Sequence, residues 1–182
     1  MARKSKSKKM KKVISNLGTA LPDRLKKNLK LIIIFSIIGI ILSLYLTYQH
    51  YKEEADPFCQ ALGGGCELIN KSMYSELEGL ASLLGMNITL PIPVAIVGLL
   101  GFIFNLILAW SLRNKNDLKN KVLLLKLMFA ANLLGLLFAI FVTYVEYGIL
   151  GTPCYYCDAS KVSHTIIFIF SAINLKYLKN TK

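Results

Sequence analysis

The residues best equipped for chemistry are four cysteines, Cys59, Cys66, Cys154 and Cys157, which fall in two tight pairs. The second pair, Cys154-Tyr155-Tyr156-Cys157, follows Gly151-Thr152-Pro153 and opens an apolar helical stretch. A thiol in the first turn of a helix meets the partial positive charge of unpaired N–H groups, which favours thiolate and makes the sulfur a better leaving group in thiol–disulfide exchange. Cys157, Lys161 and His164 stand at i, i+4 and i+7, so they share one stripe, and a cation one turn below a thiolate stabilises it. Lys161 is equally readable as a side chain snorkelling to an interface. His164 reads first as a packed polar residue facing a helix bundle, although an ionisable group at that depth raises the functional alternative. The first pair lies in Phe58-Cys59-Gln60-Ala61-Leu62-Gly63-Gly64-Gly65-Cys66, where three consecutive glycines make a hinge that lets the two sulfurs approach and separate.

Three arrangements use four such cysteines. Structural disulfides fit an oxidising compartment, yet C-x-x-C closes a tiny loop and gains little from unfolded-state entropy. A zinc site of four thiolates uses similar pairs, but six residues separate Cys59 from Cys66, more than the usual spacing. A thiol–disulfide relay, in which a hinged loop pair passes electrons to a fixed pair at a membrane surface, uses every feature. The competing class is a tetraspanning scaffold whose cysteines form inert disulfides or hold zinc.

The elements that must position these cysteines are membrane helices. Of the 182 residues 54% are hydrophobic, with 22 Lys plus Arg against 10 Asp plus Glu, a balance that excludes an ordinary water-soluble enzyme. Residues 31–48 carry no charge and suffice to cross the hydrocarbon as a signal anchor. Further spans are expected at about 89–112, with Pro91 and Pro93 in the first turn, at about 122–147, and at about 158–175, the shortest and most polar, shielded by the others. The fold class is thus an all-α integral membrane four-helix bundle. Residues 1–30 hold 11 Lys or Arg and the 113–121 loop holds four, whereas residues 51–90 hold two against six Asp or Glu. The positive-inside rule therefore puts both termini in the cytoplasm and both cysteine pairs on the outer face. Tyrosines 45, 48, 51, 144, 147, 155 and 156 cluster at that outer interface as an aromatic belt. The leader MARKSKSKKMKK reads as a topology determinant and lipid anchor rather than a nucleic-acid site. Within the outer loop, residues 67–84 show apolar recurrence close to helical periodicity, which predicts one amphipathic helix lying over the membrane face.

The chain has neither a haem C-x-x-C-H motif nor a Rossmann glycine fingerprint. A C-x-x-C at the outer edge of an apolar bundle therefore points to a lipid-soluble oxidant, a quinone. The order of motifs resembles the vitamin K epoxide reductase (VKOR) family, in a stand-alone prokaryotic form: a first helix, an outer loop with Cys59 and Cys66, Ser72 six residues on, a second helix opening with Pro93 and Gly98, and C-x-x-C leading the last helix. DsbB-type oxidases, also four-helical, carry C-x-x-C in the first outer loop instead. The resemblance implies a four-helix redox domain over residues 31–176, with outer loop 51–88, between a basic leader (1–30) and a short tail (177–182). It implies that Cys59 receives electrons from a separate exported thioredoxin-fold (DsbA-like) protein, that Cys66 attacks Cys154, and that Cys157 faces a quinone of the menaquinone, ubiquinone or vitamin K type. It implies that Ser72 positions the loop helix or the quinone, and it sets Lys161 where animal members have tyrosine; with His164 of the same stripe, Ser72 and Lys161 are the quinone-site candidates. The expected product is oxidised carrier, supporting disulfide formation outside the plasma membrane.

Overall fold

The computed structural model describes residues 23–52, 57–61, 65–87, 89–114 and 118–180. The leader up to residue 22, residues 53–56, residues 62–64 with two glycines of the expected hinge, Ile88, residues 115–117 and the last two residues lie outside them. In chain order the helices are α1 (Asp23–Tyr51), α2 (Pro57–Ala61), α3 (Cys66–Asn70), α4 (Leu77–Leu83) after a 3-10 turn at Met73–Ser75, α5 (Val94–Asn114), α6 (Leu118–Tyr144), which runs into a π-helical turn at Val145–Ile149, and α7 (Tyr155–Asn180). The protein is an all-α membrane protein.

Isoleucines and leucines point outward along α1 and α6 as well as inward, for example Ile41, Leu44, Leu134 and Ile140, all exposed. Helices apolar all round need hydrocarbon as their solvent. Among the described residues, α1, α5 and α6 with its π turn are each long and apolar enough to cross a membrane. α7 is not the shortest helix, as its sequence suggested: it has 26 residues against 21 for α5, because the helix continues through the polar Lys176 and Tyr177. Its polarity is turned inward. Ser163, Ser171 and Asn174 are buried, and Asn28 of α1 donates its side-chain N–H to Asn174 Oδ1 at 2.7 Å.

α1 packs chiefly against α5 and α7, and α6 against α7, whereas α5 and α6 touch much less. One half of the bundle is sealed by Leu29, Ile32, Phe102, Leu112, Leu125, Met128 and Ile167. At the other half the weak α5–α6 contact leaves space, and the short helices α2 to α4 cap that end.

Two local expectations are corrected. Residues 67–84 are not one amphipathic helix but three short pieces. Ser72 Oγ donates to the Ile69 carbonyl (2.8 Å) and Ser75 Oγ to the Ser72 carbonyl (2.7 Å), bonds that compete with the helical ladder and break it. Pro91 and Pro93 lie ahead of α5 rather than in its first turn, and Pro93 pairs with Glu76 in an isolated bridge that ties the cap to the start of α5.

Candidate active site

The sequence around Cys154 builds a rigid corner. The π turn ends at Ile149, Gly151 takes a φ of +64° that a side chain would strain, and Pro153 precedes Cys154. Cys154 is the residue before α7, and its Sγ accepts the backbone N–H of Cys157 at 3.3 Å, so the sulfur caps the helix. Tyr156 is held against Tyr45 of α1, ring centroids 4.8 Å apart.

The loop pair is docked onto this corner. Gly65 donates its backbone N–H to the Pro153 carbonyl at 2.9 Å, and a Cβ on Gly65 would overlap the Thr152 side chain. Two further bonds anchor α3 to α1: Asn70 donates its side-chain N–H to the Leu46 carbonyl (3.0 Å), and His50 Nδ1–H donates to the Asn70 carbonyl (2.7 Å). Asn70 therefore serves as a buried clamp.

Both pairs are closed within themselves, Cys59 to Cys66 with Cα atoms 6.2 Å apart and Cys154 to Cys157 at 5.2 Å, both ordinary spans for a disulfide. Cys59, Cys66 and Cys154 share one buried cluster with Leu46 and Ile69, and Cys157 and Tyr156 pack against it. All four sulfur-bearing residues are thus brought together from two segments far apart in the chain.

Cys157 also faces the other way. It lines a cavity of about 400 Å³ between α5, α6 and α7, with Gly98, Phe102, Phe138 and Val142 among its apolar walls. Phe104 and Leu134 line it and are exposed on the outside of the bundle, so it opens between α5 and α6. The stripe foreseen on α7 holds: Cys157, Lys161 and His164 are all on the wall. His164 Nε2–H donates to the Asn132 carbonyl at 3.2 Å, and its ring occupies the space left by Gly135, where a Cβ would lie 2.6 Å away. The Lys161 ammonium is bound by the carboxylates of Glu146 and Asp158, the latter at 2.8 Å, so its charge is balanced by acids. The Ser72 hydroxyl is turned onto the Ile69 carbonyl, and Ser72 is not among the cavity's lining residues, whereas Ser75 is.

Sequence reasoning passed over Glu146, fully buried at the end of α6 and on the cavity wall. The signal was present: a lone acid closing a long apolar span. It also passed over Asn105, on the cavity wall, and Asn132, which donates its side-chain N–H to Asn105 Oδ1 at 2.8 Å between α5 and α6.

The sequence pattern described as the Vitamin K epoxide reductase family matches residues 30–172, most of the chain. The chain belongs to the vitamin K epoxide reductase family. The match runs from α1 through most of α7 and takes in both cysteine pairs and the cavity that Cys157 lines. VKOR proteins are membrane oxidoreductases and are generally quinone-linked, which agrees with a chain that holds two adjacent disulfides at one end of an apolar bundle.

Proposed function

We propose that this VKOR-family protein oxidises an exported thioredoxin-fold (DsbA-like) carrier and passes the electrons through its two cysteine pairs to a membrane quinone, so sustaining disulfide formation outside the cytoplasm. The observation that carries this reading is the packing of Cys66 and Cys154 in one buried cluster whose other edge, Cys157, lines an apolar cavity. In this reading residues 31–176 are the redox domain, the leader and tail are cytoplasmic, and the cysteine end faces outward, in keeping with the distribution of lysine and arginine.

The exchange steps balance. A carrier thiolate attacks Cys59 Sγ and releases Cys66 as thiolate, and the second carrier thiol resolves the mixed disulfide, leaving the carrier oxidised. Cys66 then attacks Cys154 and releases Cys157, and Cys59 closes on Cys66 to free Cys154. A bound quinone supplies the sink: it accepts two electrons and two protons as Cys154 and Cys157 close again. The cavity fits such a molecule, since its volume lies within the usual range for ligand sites and its walls are apolar with a few polar groups. In this reading His164, fixed by the Asn132 carbonyl, and Lys161 orient the ring oxygens. Ser72 acts through the cap, holding the end of α3 and with it Cys66.

The test combines quinone absorbance with a reduced thioredoxin-fold donor and purified protein in detergent. Loss of quinone absorbance in the wild type that stops in Cys59→Ala and Cys157→Ala supports the relay. An inert wild type, with a small dithiol as donor too, returns the protein to a scaffold with structural disulfides.

A further inference from the structure

We propose that Asp158, Lys161 and Glu146 form a proton path from the water at the cysteine end of the bundle to the cavity, with the Lys161 ammonium as the group that protonates the reduced acceptor. This rests on reading the cavity as the acceptor's site.

Glu146 is 1% exposed, at the end of a long apolar helix, where an ionised carboxylate is costly unless paired. Its partner is Lys161, which also reaches Asp158 Oδ1 at 2.8 Å. Asp158 is one turn from Lys161 on α7 and a third exposed, so it alone could satisfy the ammonium without burying a second acid. Asp158 Oδ2 in turn accepts the Tyr147 hydroxyl at 2.6 Å, and Tyr147 lies open at the surface with its ring 5.9 Å from the Lys161 ammonium. A continuous chain of polar contacts thus runs from an exposed tyrosine and a partly exposed acid to two cavity-wall groups, Lys161 and Glu146, beside Cys157.

A buried ion pair is a poor device for stability, because desolvation offsets its attraction. As a proton device the arrangement is apt. Two carboxylates around one ammonium carry a net charge of −1, and when Lys161 gives up a proton the two acids face a neutral amine and draw in another by way of Asp158. Per turnover, Cys154 and Cys157 lose two electrons and two protons as their S–S bond forms. The acceptor gains two electrons and one proton on each of two oxygens: Lys161 supplies the proton at the oxygen it faces and is recharged through the path, and the oxygen across the ring takes one of the two thiol protons. The other thiol proton leaves to the water at the cysteine end, so protons and electrons balance on one side of the bundle.

The experiment uses full-length protein pre-reduced with a small dithiol and mixed with a short-tailed quinone, in H2O and D2O, for wild type, Lys161→Met, Glu146→Gln and the double variant. The expected loss in Lys161→Met is about 100-fold in quinone decay, while thiol exchange from a reduced carrier to the Cys59–Cys66 pair, followed by alkylation without quinone, is unchanged. The double variant, which contains no unpaired charge from this couple, stays as slow as Lys161→Met. Recovery of the wild-type rate in the double variant makes the pair a structural tie and overturns the proposal. A second readout needs no quinone: exchange of the Lys161 ammonium hydrogens with water, followed by NMR, slows in Asp158→Asn if Asp158 is the outer link, and unchanged exchange contradicts it. A wild type that leaves quinone untouched removes the reading of the cavity itself. Variants that match an active wild type in rate and isotope effect remove only the proton path.

Discussion

The backbone N–H of Gly65 is bound to the carbonyl oxygen of Pro153 at 2.9 Å, which seats the residue before Cys66 against the residue before Cys154. One hydrogen bond between two cysteine-flanking residues thereby fixes how the loop pair meets the helix pair. The contact is possible because Gly65 has no side chain where Thr152 lies.

Gly65→Ala is expected to weaken this docking, since overpacking a closed contact costs about 1–3 kcal/mol. In a Cys59→Ala/Cys157→Ala background, the yield of the Cys66–Cys154 mixed disulfide on non-reducing gels should fall while the helical signal by circular dichroism is kept. Thr152→Gly should restore part of it by emptying the space the new Cβ needs.

Gly135→Ala probes the cavity. The added methyl meets the His164 ring and must shift it into the space between α5 and α6. The expected outcome is a several-fold rise in KM for quinone with unchanged transfer from carrier to enzyme, measured as steady-state kinetics beside thiol alkylation.

Asn70→Ala removes the bond to the Leu46 carbonyl, which keeps its helical partner within α1, at a net cost of about 0.5–1.5 kcal/mol. The cap should open more readily, so limited proteolysis within residues 65–87 should accelerate in detergent before the four-helix body melts. Asn70→Asp, which keeps the shape but loses the N–H, should behave similarly.

Much of the fold is legible in the sequence because the membrane imposes simple rules: uninterrupted apolar runs mark the spans at α1, α5 and α6, and spacing alone puts Cys157, Lys161 and His164 on one wall. The breaks within the cap are not legible, since they depend on Ser72 and Ser75 bonding their own backbone instead of continuing a helix. The extent of α7 is underestimated because Lys176 and Tyr177 look like an end, when the helix continues past them to Asn180. Glu146 escapes notice because its partner, Lys161, is 15 residues away, and only the fold brings them together. The docking of Gly65 on Pro153 has no sequence signal at all beyond the glycine itself.

Electron transfer from Cys66 to Cys154 and out at Cys157 is tested most directly by quinone absorbance over time with a reduced thioredoxin-fold donor. Steady loss is expected in the wild type, none in Cys157→Ala or Cys59→Ala, and retained loss in Cys59→Ala when a small dithiol that reaches the Cys154–Cys157 pair directly replaces the donor. Quinone consumption that persists in Cys157→Ala, or a wild type that consumes none with either donor, would contradict it.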